Sequence, residues 1–189
     1  MNLLVAAAFA LAVSFPALAS AQTADFKCPA TGTQFVFRSG GVDSRSTATG
    51  QEDGVCLMRR ENADQTAVRV YWGLVGSVDA AGDSFVHGLD LKSLWPLKVG
   101  NKTAQTVNGV GYDGRPYSTN VTLTVAAYEK VTVPAGTFDA FRVEESKAGE
   151  TRLRTHWWAP AAGISVKESF PDWQDNTKLK VYELVSIKK

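Results

Sequence analysis

The sequence predicts an all-β fold, a single antiparallel β domain in the mature part of an exported chain, and three observations carry that reading. Apolar residues recur with a period of two in many short runs, while a sustained period of 3.6 is nearly absent. β-Branched and aromatic residues fill those runs, as a half-buried pleated surface prefers. Turn signals separate the runs at short intervals with no helical stretch between them, which is the pattern of antiparallel rather than βαβ architecture.

The elements follow in chain order. Leu3 to Val13 is almost entirely Leu, Val, Ala and Phe, with Pro16 after it and Ala19 and Ala21 flanking Ser20. That is a signal-peptide core with a small-x-small cleavage site, so residues 1–21 are expected to be removed and 22–189 to form one domain. The apolar run is well short of the roughly 18 to 20 residues that a bilayer core requires, which argues against a membrane anchor. Only Met1 and Asn2 precede it, with no Lys or Arg, so the true start is expected either at Met1 or further upstream.

Further along, Phe35 and Phe37 alternate with Gln34, Val36 and Arg38. Ser44 to Asp53 is polar and Gly-ended, compatible with a solvent-facing strand or a loop. Val68, Val70, Trp72 and Leu74 make one face of a strand. Leu89 to Trp95 is the one short helical stretch, stopped by Pro96. Leu123, Val125 and Ala127 alternate between threonines, Val131 and Val133 follow, and Phe141 and Val143 alternate with Arg142 and Glu144. Leu179, Val181, Val185 and Ile187 close the chain as one face. Turns are predicted at Ser39-Gly40-Gly41, Asp53-Gly54, Ala81-Gly82-Asp83, Asp113-Gly114, Pro134-Ala135-Gly136 and Ala161-Ala162-Gly163.

Cys28 and Cys56 are the only cysteines. In an oxidising compartment an even pair reads first as a disulfide. On the chain-entropy model such a loop stabilises the fold by roughly 3 to 4 kcal/mol. Asp25-Phe26-Lys27 before Cys28 is not the small apolar set of a lipidated cysteine, so the product is expected free in the periplasm or outside the cell, without stable membrane insertion. Lys plus Arg number 20 against 19 Asp plus Glu, and that balance argues against a nucleic-acid partner.

Candidate motifs for chemistry are few. Gly109-Val110-Gly111-Tyr112-Asp113-Gly114 matches the dinucleotide pattern in letters. A β-type run follows it instead of the helix whose N-terminus would receive a pyrophosphate, so no cofactor is expected. Ser186-Ile187-Lys188-Lys189 spells Ser-x-x-Lys at the end of a strand, where no helix presents the lysine. His87 and His156 are the only histidines and offer no metal-ligand spacing. Adjacent Glu144 and Glu145 point to opposite faces of a strand and cannot act together on one bond. The expectation is therefore a protein that is not an enzyme and has no catalytic residues.

The candidate ligand site lies on the strand toward Trp158. Arg152, Arg154, His156 and Trp158 share one face, with Leu153, Thr155 and Trp157 on the other. Two readings fit this stripe. One is a binding face for an anionic ligand, through charge-assisted hydrogen bonds and stacking, extended by Trp173 near Phe170 and Pro171. The other is a solvated outer face, its arginines paired with Glu144 or Glu145 and Trp157 in the core.

The runs Leu94-Trp95-Pro96-Leu97-Lys98-Val99-Gly100, Val131-Thr132-Val133-Pro134-Ala135-Gly136-Thr137-Phe138 and Trp157 to Lys167 (Trp-Trp-Ala-Pro-Ala-Ala-Gly-Ile-Ser-Val-Lys) form an ordered pattern. It resembles a loose group of exported bacterial envelope proteins, similar to the half-barrels of lipoprotein carriers. The resemblance implies a strongly curved antiparallel sheet, half-barrel or barrel-like, and brings no catalytic residues. Together these readings predict a binding protein holding an apolar or amphipathic envelope ligand, a lipid or other small molecule, on a concave sheet. The alternatives are an interaction protein that meets an envelope protein through a Trp-rich surface, and a hydrolase without a recognisable motif.

Overall fold

The computed structural model of the protein describes residues 22–52, 55–61, 68–71, 77–78, 84–85, 91–110, 115–149, 154–172, 175 and 177–189. The predicted signal segment lies outside the described residues, as do Trp72, Leu74, His87, Leu89 and three of the predicted turns (at 53–54, 81–83 and 113–114).

The chain begins with β1 (Thr23–Ala24), β2 (Gln34–Ser39), β3 (Val42–Glu52), β4 (Val55–Arg60) and β5 (Val68–Tyr71). Two short strands, β6 (Ser77–Val78) and β7 (Ser84–Phe85), precede a 3-10 turn at Leu91–Leu94 and β8 (Leu97–Lys98). Then come β9 (Lys102–Val110), β10 (Pro116–Val133), β11 (Gly136–Lys147), β12 (Arg154–Ala159), β13 (Ile164–Pro171) and β14 (Leu179–Lys188). The helix expected at Leu89 to Trp95 is thus a single 3-10 turn, ended before the cis Trp95–Pro96 bond. The polar stretch from Ser44 is a strand, not a loop.

Ten strands form one antiparallel sheet in the order β5-β4-β3-β2-β14-β13-β12-β11-β10-β9. It is a meander in which only the β2–β14 pair joins the first part of the chain to the last, and β5 and β9 remain its two edges. β1–β8 and β6–β7 are separate two-stranded ribbons. The β2–β3 hairpin turns on Gly40 and Gly41 at φ 57° and 81°, the pair of positive angles a tight hairpin needs.

The sheet is open and curved, as predicted. Its curvature is visible where the Ala135 amide, at the tip of the β10–β11 hairpin, donates a 3.0 Å bond to the Leu184 carbonyl of β14. In the sheet β12 and β13 lie between β11 and β14, so the hairpin tip has curled over both. Register shifts supply the bending: they occur between Val125 and Ala127, between Trp157 and Trp158, between Leu184 and Ser186, and between Ala48 and Gly50. Each extra residue kinks its strand and increases the local twist.

These bulges also correct the alternation read from sequence. Leu123 and Val125 pack in one apolar cluster, whereas Val131 and Val133, beyond the bulge, pack in another. On β14, Leu179 and Val181 are exposed and Leu184, on the other side by alternation, is buried; the bulge at Val185 then returns Ile187 to the Leu184 side.

The first core gathers Leu94, Leu97, Val107, Val121, Leu123, Val125, Phe141, Val143 and Trp158. Phe26 meets Trp95 at 5.2 Å, and Trp95 meets Trp158 edge-on at 4.8 Å, so the N-terminal segment and the 3-10 turn cover this core. The second core joins Phe35, Ala48, Met58, Val131, Val133, Ala140, Ala159, Ile164, Val166 and Leu184. On β11 and β12 the two cores are reached from opposite faces: Phe141 and Trp158 enter the first, Ala140 and Ala159 the second. The Cys28–Cys56 disulfide, S–S 2.01 Å, ties the N-terminal segment to β4.

Candidate functional site

β12 places Arg154, His156 and Trp158 on one face, as alternation requires, but that face is interior. His156 is 2% exposed and Trp158 fully buried. The expectation of an exposed stripe is therefore corrected at these two residues: both sides of the sheet are covered here, so a polar face need not meet water. Arg152 and Trp173, the remaining members of the predicted site, lie outside the described residues. Trp157 is the half-buried one of the two tryptophans. Its indole N–H donates to Glu129 Oε1 at 2.8 Å, and the Lys167 ammonium sits 5.8 Å from its ring centre.

Buried charge on the Trp158 side is compensated across strands. Register pairs Val143 of β11 with His156 and His156 with Glu168 of β13, while Glu145 faces Arg154. His156 Nε2 lies 3.6 Å from Glu145 Oε2, and His156 Nδ1 lies 3.6 Å from Glu168 Oε1. At that length both are ion-pair contacts rather than hydrogen bonds. Lys147 adds a further contact, 3.7 Å from Glu145 Oε1.

Burial alone would push the imidazole toward neutrality, but the carboxylates of Glu145 and Glu168 outweigh it and raise the His156 pKa to about 9. Burial likewise works against the Glu145 carboxylate, yet His156, Arg154 and Lys147 hold its pKa down at about 2. At neutral pH the cluster is thus a fixed imidazolium between two carboxylates. At neutral pH the imidazole of His156 therefore holds its proton and the Glu145 carboxyl stays ionised.

The same face becomes accessible toward the other end of β13. The Arg154 guanidinium lies 5.1 Å over the Phe170 ring, and Phe170 stacks on Tyr182 at 5.4 Å with planes 24° apart. Lys180 stands opposite Phe170 in the β13–β14 register. Arg154, Phe170, Lys180 and Tyr182 are all half-buried, forming a cationic aromatic shelf beside the ion cluster. Among the described residues no group of His, Cys, Asp and Glu is arranged to hold a metal ion.

Glu168, Lys180 and Tyr182 were not anticipated. Counting a regular hairpin back from the turn at 160–163 would place Lys167 opposite His156. The bulge at Val166 shifts the register by one and brings Glu168 there instead. Periodicity in the sequence carries no sign of that extra residue.

No protein-family model and no curated protein matches the chain. Solved structures do. The hypothetical lipoprotein YmcC of Escherichia coli K12 aligns with a TM-score of 0.50 at 12% identity, over 83% of this chain and 85% of that one. An exported protein, so described, with a YmcC-like fold from Bacteroides fragilis aligns at 0.41 and 14% identity, over 88% of this chain and 100% of that one. A lipoprotein, so described, from Parabacteroides distasonis aligns at 0.35 and 14% identity, with the same coverages. The chain is similar in fold to the first of these.

Proposed function

We propose that this is an exported binding protein rather than an enzyme, and that it takes an amphiphilic ligand on the shelf of Arg154, Phe170 and Tyr182. The observation that carries the reading is a stacked aromatic pair left half-buried on a sheet whose neighbouring interior is filled. Trp158, Phe141 and Leu123 leave no exposed surface of their own, so an apolar ligand is not expected among them. The shelf is where the same face meets solvent, with ring faces for a chain and cations for a polar end.

Export rests on the apolar run at residues 3–13 and the Ala19-x-Ala21 site, together with the description of the fold neighbour YmcC as a lipoprotein. The protein works in the periplasm or outside the cell. Cys28 and Cys56 are joined in the disulfide, so neither of the two is available for a thioether-linked lipid.

Native mass spectrometry with lipid extraction, on protein purified from its own envelope, tests the reading. A small amphiphile should co-purify with the wild type and be lost from a Phe170→Ala, Tyr182→Ala variant. A wild type that carries none, and acquires none when envelope lipids are added, would overturn it.

A further inference from the structure

The shelf has a charge pattern that specifies the polar end of its ligand. Two carboxylates on this face, Glu145 and Glu168, are both taken up by the imidazolium of His156, and Glu145 by Lys147 as well. Arg154 stands beside Glu145 in register, yet its guanidinium lies over the Phe170 ring rather than in a salt bridge. Lys180 flanks the same ring from β14. Asp172, past the end of β13, is the next carboxylate along the chain and already has a partner of its own. Among the described residues the cations on the open side therefore exceed the acids left to answer them, and a guanidinium placed over an aromatic ring retains N–H groups for a planar acceptor.

We infer that the ligand is an anionic amphiphile, its carboxylate or phosphate held by Arg154 and Lys180 and its chain laid on the Phe170–Tyr182 stack. This rests on the reading of the shelf as an amphiphile site and deepens it by fixing the headgroup charge. The carboxylate of a fatty acid and the phosphate of a lipid share this chemistry, and so does free phosphate.

The test compares probes of one chain length below their micellar concentrations: laurate, dodecyl phosphate, dodecyl maltoside and dodecyltrimethylammonium, with butyrate and inorganic phosphate as chainless anions. Binding is measured by isothermal titration calorimetry on the full mature chain. Laurate and dodecyl phosphate should bind at least tenfold more tightly than the neutral and cationic probes, and the preference should shrink as salt screens the cations. Butyrate and phosphate should bind far more weakly than either, since they lack the chain.

Arg154→Met and Lys180→Met should each remove most of the anion preference, bringing the affinity for laurate and dodecyl phosphate down toward that for the neutral probe in the same variant. Lys180 is the safer variant, having no ion pair with the buried cluster, and circular dichroism checks the fold of both. If neutral and anionic probes bind equally, or if both Met variants keep the preference, the headgroup inference fails and the amphiphile reading stands. If no chain-bearing probe of any charge binds, the amphiphile reading itself fails. Inorganic phosphate binding as tightly as dodecyl phosphate would make the site one for a free anion and overturn both.

Discussion

The core around Trp158 and the core around Phe35 share strands β11 and β12 but are built on different principles. The second is apolar throughout: Phe35, Met58, Val131, Val133, Ile164, Val166 and Leu184 close on one another as the sheet curls. The first is covered by elements outside the sheet, the N-terminal segment and the 3-10 turn, and borders a buried ion cluster at His156. Apolar packing is non-directional and tolerates volume-conserving exchange. A buried charge cluster tolerates no loss of a partner, since the charge left behind stays desolvated.

That difference is sharpest at His156. His156→Leu removes the cation that lies between the Glu145 and Glu168 carboxylates, and should cost about 4 kcal/mol in urea unfolding. Leu184→Met in the second core, equally buried, should cost less than about 1.5 kcal/mol because volume is nearly conserved. Similar costs for the two would remove the distinction between the cores. The covalent tie is next in size. Cys28 and Cys56 are 28 residues apart, and replacing both by Ser should lower stability by roughly 3 kcal/mol on the loop-entropy model. Hydrogen exchange should rise first at Trp95 and β8, under the N-terminal segment, and least around Phe35.

Acidity separates the cores again. The folded His156 pKa is about 9 against 6.5 for the free side chain, so its contribution is complete below pH 6.5 and is lost as pH rises through 9. Glu145 is lowered from 4.5 to about 2, so its contribution is complete above pH 4.5 and is lost as pH falls through 2. Both shifts report one coupled interaction, worth roughly 3 kcal/mol at most for the cluster as a whole. Stability should therefore plateau between pH 4.5 and 6.5 and decline on either side. In His156→Leu the decline above pH 6.5 should vanish. Urea midpoints across that range provide the check, and an unchanged decline would place the titrating group elsewhere.

What could be read from the sequence follows the same division. Hairpin turns at Gly40-Gly41, Pro134 to Gly136 and Ala161 to Gly163 are written in residues with fixed backbone preferences, and these turns and the antiparallel order around them were legible. So was the opposite orientation of Trp157 and Trp158. Bulges at Ala126, Val166 and Val185 are not marked by any residue type, since curvature of the whole sheet decides where a strand must gain a residue. Everything that depends on them was hidden: the side on which Val131 and Val133 pack, the return of Ile187 to the Leu184 side, and the meeting of His156 with Glu168. Arg154 was legible as a cation on the Trp158 face. Phe170 was named near that face, but its place beside Arg154 and its stacking on Tyr182 were not legible, because the β12–β13 register depends on the bulge at Val166.

The smallest expected effect probes the seam between the two cores. Gly163 ends the β12–β13 turn at φ 67°, and a Cβ there would lie 2.9 Å from the Lys27 carbonyl oxygen and 3.3 Å from the Pro29 nitrogen. Gly163→Ala thus adds a left-handed backbone penalty to a clash with main chain that cannot rotate away, together about 2 kcal/mol. The clashing segment is held by the disulfide at Cys28. In a Cys28→Ser, Cys56→Ser background that segment is free to give way, and only the backbone penalty of about 1 kcal/mol should remain. The double-mutant cycle then yields a coupling of about 1 kcal/mol, as expected for groups that share a contact. Strict additivity would mean that the disulfide does not press the N-terminal segment onto the turn, and that the first core keeps its cover without the covalent tie.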